Sequence, residues 1–226
     1  MFRYIYIALV ILLIVAIAFA GWRFRGKRNS HTIVKENKTW ETQLNGNGVY
    51  SKKQIVFFGD SEIALWPMQS SFGVLPFKNR GQSGDLATKC FARYKEEVIS
   101  LSPDAIVLLI GINDLNDGVS PSEILQSIHD LIKEGKRARA EIVVCGLLPV
   151  SSRVADAGRP VSYILEINKS LSEICQVERL DYVGFYDLLI DEDGFFDKRF
   201  TDDGLHPNEN GYELMSEIIL PYLSLL

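Results

Sequence analysis

The sequence predicts an α/β domain built on a parallel sheet with helices on both faces. Two observations lead to this fold class. Apolar runs of strand length alternate along the chain with segments of helical periodicity, a pattern typical of right-handed βαβ units. The alternation starts near residue 52 and continues to the C-terminus, which leaves about 175 residues, a suitable length for one domain.

The elements follow one another in a regular order. Strands are predicted at 54–58, 105–110, 141–147 and 181–185, with a weaker one at 74–79. Helices are predicted at 85–100, 121–138, 161–176 and 208–219. Ligands of such sheets bind beyond the carboxyl ends of the strands. Residues directly after each apolar run are therefore the first candidates for chemistry.

The N-terminus carries a hydrophobic segment. Residues 4–22 are uncharged and apolar, and at about 1.5 Å per residue they are long enough to cross a bilayer core. The A-x-A pattern at Ala18 to Ala20 would fit a cleaved signal peptide. Four basic residues follow the run, and they favour an uncleaved single-pass anchor. The positive-inside rule would keep the body in the cytoplasm, but we leave the membrane side open.

The sequence thus divides into three parts. Residues 1–28 are predicted to be the membrane anchor (or signal peptide) with its basic flank, 29–51 a polar linker, and 52–226 the α/β domain. The whole chain has a net charge of −5. The first 28 residues contain only basic charges, so the rest of the chain is more acidic still, which argues against nucleic acid as a partner.

Three cysteines are too few for a disulfide scaffold, and their spacing matches no zinc motif. Because the number is odd, at least one thiol is free or pairs with another chain. Cys145 lies in a predicted strand and Cys90 and Cys175 in predicted helices, so we expect buried structural thiols. No metal or organic cofactor is predicted.

Polar clusters with a glycine follow the predicted strands or precede the last helix. They are 59–61 (Gly-Asp-Ser), 81–85 (Gly-Gln-Ser-Gly-Asp), 111–114 (Gly-Ile-Asn-Asp) and 203–207 (Asp-Gly-Leu-His-Pro). Each is a weak signal alone, but four in this order and at these positions indicate one site at a single edge of the sheet.

A serine nucleophile requires a neighbouring base, most often a histidine that a carboxylate orients. His31 lies in the linker and His129 within a predicted helix, where a structural role is expected. His206 lies in a turn, with Asp203 three residues before it and Asp202 as the competing carboxylate. Ser61 is the serine candidate.

Ser61 has a second interpretation, as an N-cap of the following helix assisted by Asp60.

Acyl transfer also needs donors for a developing oxyanion. The backbone N–H groups of Ser61 and Gly84 and the side-chain amide of Asn113 are candidates. Gly84 and Asn113 are alternatively turn residues. Asp60 and Asp114 are expected to brace their loops, because neither has a histidine at a suitable spacing.

The four clusters resemble the four sequence blocks of the GDSL/SGNH hydrolases, the GDSL-like lipases and esterases. The resemblance runs from about residue 54 to the C-terminus and excludes 1–51. It implies a flavodoxin-like three-layer α/β/α fold and cleavage of carboxylic esters without a cofactor or metal. It also implies Ser61 as nucleophile, His206 as general base, Asp203 as the orienting carboxylate, and an oxyanion hole of Ser61, Gly84 and Asn113.

The sequence departs from the family pattern at Glu62, where the family name has leucine. We expect this residue to line the pocket mouth and to disfavour anionic substrates. Trp66 and Arg80 are expected near the cleft, either as substrate contacts or as core and surface residues.

The predicted substrate is a lipid, carbohydrate or other small-molecule ester, with a thioester also open. Two alternatives remain: an acyltransferase that uses the same residues, and a catalytically idle binding module tethered to a membrane. The oligomeric state is not predicted.

Overall fold

The computed structural model describes residues 53–73 and 77–224. The predicted anchor and linker lie outside these residues, as does His31. Among the helices of the described residues, none is both long enough and apolar enough to cross a membrane.

Five parallel strands form one sheet. They are β1 (Ile55–Gly59), β2 (Phe77–Gly81), β3 (Ala105–Leu109), β4 (Glu141–Cys145) and β5 (Asp181–Val183). Their order in the sheet is β2-β1-β3-β4-β5, and every neighbouring pair is parallel. This is the flavodoxin-like order, in which the succession of strands reverses direction between β1 and β3. The predicted parallel α/β sheet is confirmed.

Helices connect the strands throughout the described residues. They are α1 (Ser61–Ala64), α2 (Met68–Phe72), α3 (Phe91–Glu97), α4 (Ile112–Asn116), α5 (Pro121–Arg137), α6 (Ser152–Asp156), α7 (Val161–Glu178), α8 (Tyr186–Leu189) and α9 (Glu209–Ser224). A 3₁₀ turn covers Ile99–Leu101. The long α5 begins at a capping box between Ser120 and Glu123, with a proline at its first turn.

The sheet separates two hydrophobic cores. Val56 and Phe58 of β1 face a core that also contains residues of α3, α5 and α7. Ile55 and Phe57 face the opposite core, which is completed from α2, α8 and α9. Because successive side chains of a strand point to opposite faces, these central strands are apolar throughout. The result is one layer of helices on each side of the sheet.

The helix predicted at 85–100 is shorter than expected, since α3 covers only Phe91–Glu97. The buried Asp114 carboxylate accepts hydrogen bonds from the backbone N–H groups of Ala87 and Thr88, at 2.8 and 3.0 Å. These bonds hold the preceding residues in turns. Beyond α3, Ser102 adopts a left-handed conformation with φ of 50°, which ends the helical segment.

The strand ends also differ from the predictions. β2 continues to Gly81, two residues past the predicted end, because it pairs with β1 up to Gly59. β4 stops at Cys145 rather than at 147, and the next N–H, of Gly146, donates to Val183 where β5 ends. The predicted 181–185 strand accordingly ends at Val183.

Candidate active site

Three strand ends bring separate polar clusters to one edge of the sheet. Gly59, the last residue of β1, is level with Gly81 of β2 and with Leu109 of β3. The segments that follow carry Ser61 at the start of α1, Gly84 in a loop, and Asn113 in α4. The loops after β1 and β3 flank the point where the strand order reverses, which is where open α/β sheets bind ligands.

Ser61 is the first residue of α1, and Asp60 is the N-cap of that helix. An oxygen of the Asp60 side chain accepts a hydrogen bond from the Glu62 N–H at 3.3 Å. The structure therefore assigns the capping role to Asp60, as a loop-bracing residue, and leaves the Ser61 hydroxyl available. Ser61 is 5% exposed.

His206 joins Ser61 to Asp203. Its Nε2 lies 3.0 Å from Ser61 Oγ, and its Nδ1 lies 2.6 Å from Asp203 Oδ2. The other oxygen of Asp203 accepts the backbone N–H groups of Leu205 and His206, both at 2.8 Å. The neighbouring Asp202 instead accepts from Asn208 at 3.3 Å. The three residues predicted from spacing are thus brought together in one hydrogen-bonded chain.

The environment of Asp203 keeps it ionised. Partial burial acts to raise the pKa of Asp203, but the hydrogen bonds from the His206 ring and from the two backbone N–H groups outweigh it. The pKa falls to about 2. The ionised carboxylate can accept a hydrogen bond from the Nδ1–H of His206, an arrangement that leaves Nε2 facing Ser61 Oγ.

The turn that carries Asp203 and His206 is held by Thr201, which the sequence analysis did not single out. Thr201 is buried, and its Oγ1 accepts the Gly204 N–H at 2.9 Å and donates to the His206 carbonyl at 2.7 Å. The Gly204 carbonyl in turn accepts from the Ser151 N–H at 2.8 Å. The turn is therefore fixed both internally and against the loop before α6.

The candidate oxyanion donors lie on the three segments that follow β1, β2 and β3. Within residues 53–73 and 77–224, the backbone N–H groups of Ser61 and Gly84 donate to no protein acceptor. Gly84 is exposed, and its φ of 78° is a conformation that favours glycine. The half-buried Asn113 donates one amide N–H to the Asp85 carbonyl at 3.2 Å.

Two side chains brace the Gly84 loop. Asp114 is fully buried and accepts from the Ala87 and Thr88 N–H groups and from Thr88 Oγ1, so its predicted bracing role is observed. Arg93 donates to the carbonyl of Gly59 at 3.2 Å and pairs with the carboxylate of Asp85. Arg93 belongs to no motif, and sequence reasoning missed it.

Glu62 is not at a pocket mouth, as the sequence analysis expected. It is 2% exposed, and its Oε2 accepts a hydrogen bond from Ser61 Oγ at 3.3 Å. Asp60 is also buried, and burial, followed by the neighbouring Glu62, raises its pKa well above the ordinary value. Asp60 therefore favours its protonated form, and it lies next to the Glu62 carboxyl group that contacts Ser61 Oγ.

The side chains of three other predicted residues make no hydrogen bond to Ser61, Asp203 or His206. Trp66 is a core residue that is 2% exposed, with its indole N–H donating to Ser216 at 2.9 Å. Arg80 is half-buried and donates to the Asn79 carbonyl at 3.3 Å. His129 is half-buried, with Nε2 2.5 Å from Glu178, in keeping with a structural role.

The three cysteines are free and buried. Among the described residues no group of three or more His, Cys, Asp or Glu side chains is placed to hold a metal ion.

Solved structures of other proteins share this fold. A GDSL-like lipase from Bacteroides thetaiotaomicron has a TM-score of 0.73 at 21% identity, covering 83% of this chain and 97% of its own. A Streptococcus pneumonia protein named as a platelet activating factor has a TM-score of 0.70 at 28% identity, covering 91% and 99%. An acetylxylan esterase from Geobacillus stearothermophilus, solved as a catalytic mutant, has a TM-score of 0.61 at 19% identity, covering 76% and 94%.

No curated protein matches the chain. The model of the GDSL-like Lipase/Acylhydrolase family matches residues 66–214, a segment that includes the clusters of Gly84, Asn113 and His206 and begins shortly after Ser61. This segment is more than half of the chain. The protein therefore belongs to the GDSL-like lipase and acylhydrolase family and is an ester hydrolase of that family.

Proposed function

We propose that the protein hydrolyses carboxylic esters with Ser61 as nucleophile, His206 as general base and Asp203 as the residue that orients His206. The observation that carries this proposal is the placement of one imidazole between two partners, 3.0 Å from Ser61 Oγ and 2.6 Å from Asp203 Oδ2. A serine hydroxyl is a weak nucleophile until a positioned base accepts its proton.

The reaction proceeds through an acyl-enzyme. Ser61 Oγ attacks the carbonyl carbon of the ester while its proton passes to His206 Nε2. The tetrahedral intermediate collapses, the bond to the alkoxide breaks, and His206 returns the proton to the departing alcohol. Water then attacks the acyl-enzyme, again losing a proton to His206, and the acid is released with Ser61 regenerated.

The developing negative charge needs donors that are already in place. The N–H groups of Ser61 and Gly84 have no competing acceptor in the described part of the chain, and Asn113 retains one amide N–H beyond its bond to Asp85. These three groups are assigned as the oxyanion hole. Asp203 compensates the imidazolium that forms at the same time.

The substrate is proposed to be a lipid or carbohydrate ester. Similar folds occur in a protein named as a GDSL-like lipase and in an acetylxylan esterase, so both classes are compatible with this architecture. Residues 1–28 are proposed to anchor the enzyme to a membrane, on the basis of their uncharged apolar run and basic flank.

Labelling with a fluorophosphonate probe tests the proposal. The full-length protein in detergent should be labelled, and both Ser61→Ala and His206→Ala should lose the label. Ser83→Ala is the matched control, because Ser83 is an exposed serine on the Gly84 loop and has no part in the mechanism. Wild-type protein that is folded but unlabelled, or labelling that survives Ser61→Ala, would contradict the proposal.

Turnover gives the second readout. Asn113→Ala should lower kcat on p-nitrophenyl acetate by about 100-fold, the usual cost of removing one oxyanion donor. Free acetate and p-nitrophenol should form in equal amounts, since water is the acceptor. An acetylated alcohol as the main product would instead identify a transferase.

A further inference from the structure

Arg159 is a half-buried guanidinium in the connection between α6 and α7. All three of its hydrogen-bond acceptors belong to α4, the short helix after β3. Its Nε donates to the Ile112 carbonyl at 3.2 Å, its Nη1 to Asn116 Oδ1 at 2.9 Å, and its Nη2 to Asn113 Oδ1 at 3.4 Å. One side chain thus holds the helix that carries a proposed oxyanion donor.

These contacts fix the orientation of the Asn113 amide. A guanidinium can only donate hydrogen bonds, so the group that faces Arg159 must be the Asn113 oxygen. A backbone carbonyl can only accept, so the group that faces the Asp85 carbonyl, at 3.2 Å, must be the Asn113 nitrogen. Rotating the amide by 180° would place a donor against a donor and an acceptor against an acceptor.

We propose that Arg159 is a positioning residue for ester hydrolysis, which keeps the Asn113 amide turned so that its second N–H meets the developing oxyanion. This inference rests on the oxyanion role of Asn113 given under Proposed function. Without Arg159, the amide oxygen loses its partner and the side chain gains alternative orientations in which a carbonyl oxygen would repel the intermediate.

Arg159 also carries a positive charge, and the experiment has to separate the effect of this charge from that of the hydrogen bonds. Its positive charge interacts with the buried carboxyl groups of Glu62 and Asp60. A lysine in its place would retain that charge but would present a single ammonium group instead of a planar fork that binds three acceptors. Arg159→Lys therefore preserves the charge and removes the positioning.

A double-mutant cycle distinguishes action through Asn113 from a general structural role. In full-length enzyme with intact Asn113, Arg159→Met should lower kcat on p-nitrophenyl acetate about tenfold and change KM by less than about twofold. This loss in kcat is smaller than the loss expected from removing the oxyanion donor itself. In the Asn113→Ala background, the same substitution should change kcat by less than about twofold. Arg159→Lys should also lower kcat, because it retains the charge and removes the positioning.

Two further variants keep the test decisive. Asn116→Ala removes the acceptor of Nη1 without altering any charge, so it should lower kcat in the same direction and only when Asn113 is present, even if Arg159→Met does not fold. Arg137→Met is the matched control, since this arginine lies on the surface and pairs with Glu134 of its own helix; its kcat should equal that of the wild type.

Equal losses from Arg159→Met in both backgrounds would overturn the inference, because Arg159 would then act independently of Asn113. A large loss from Asn113→Ala with none from Arg159→Met or Asn116→Ala would also overturn it, while leaving the proposed function intact. Unchanged kcat in Asn113→Ala itself would refute the oxyanion role of Asn113 and the inference with it.

Discussion

Replacing Asp203 by asparagine tests the proposed site with a minimal change in shape. In the wild type, Oδ1 accepts the N–H groups of Leu205 and His206, and Oδ2 accepts from the His206 ring. An asparagine oxygen can continue to hold both backbone N–H groups. Its amide nitrogen then faces Nδ1 and donates to it, which moves the imidazole proton to Nε2. In that tautomer Nε2 cannot accept the Ser61 proton.

Asp203→Asn should therefore lower kcat strongly and the free energy of unfolding only slightly. A wrong histidine tautomer in a serine triad lowers kcat by about 10⁴-fold. The pKa of Asp203 lies at about 2 instead of 3.8, which corresponds to at most about 2.5 kcal/mol. Because the Asp203 side chain is 53% exposed, solvent screening reduces this contribution to about 1 kcal/mol.

The pH dependence of that small term has a definite sign. A carboxyl group whose folded pKa is lowered stabilises the protein above its unfolded pKa, so the contribution of Asp203 is complete above about pH 4 and lost as the pH falls towards about 2. The difference in melting temperature between Asp203→Asn and the wild type should therefore become smaller as the buffer is acidified.

Steady-state kinetics on p-nitrophenyl acetate and thermal unfolding provide the assay. Asp202→Asn is the matched control, since this neighbouring carboxylate accepts only from Asn208 among the described residues; its kcat should stay within about twofold of the wild type. If Asp203→Asn retained a tenth or more of wild-type kcat, or if Asp202→Asn lost as much activity, the assignment of the orienting carboxylate would be refuted.

Two other substitutions test the surroundings of the site. Gly204→Ala should lower stability by about 1–3 kcal/mol, seen as a lower melting temperature, because Gly204 has a φ of 82° and an added Cβ would lie 2.2 Å from Ser151 Oγ; an unchanged melting temperature would contradict the turn geometry. The melting temperature of Asp60→Asn should rise relative to that of the wild type as the pH increases above about 4. The reason is that a carboxyl group whose pKa is raised in the folded protein costs stability once the unfolded chain ionises. A difference between the two proteins that is independent of pH would show that Asp60 is not held protonated by the fold.

The sheet could be predicted from the sequence because its central strands are buried on both faces. Such strands are continuous apolar runs, as at Phe57 and Val107, and they need no tertiary information to be recognised. The segment before α3 was predicted incorrectly because its conformation depends on a residue that is distant in the sequence. Its apolar spacing is helical, but the conformation is set by Asp114, which lies 26 and 27 residues away from its two backbone donors.

The same distinction applies to the site. Ser61, Asp203 and His206 were identified from short local patterns, and the structure places them in contact. Arg93 and Arg159 belong to no pattern, because the groups that they contact are contributed by residues far away in the sequence. Neither arginine therefore left a signature in its own neighbourhood of the sequence.

The burial of Glu62 changes what the departure from the family pattern implies. A carboxylate at the pocket mouth would repel anionic substrates, as the sequence suggested. Glu62 instead lies beneath the surface, beside Asp60, whose pKa is raised by burial and by the neighbouring Glu62. Because the Glu62 side chain is only 2% exposed, it is not placed to meet a substrate directly. Discrimination between substrates is then expected to come from the other residues around Ser61, Gly84 and Asn113.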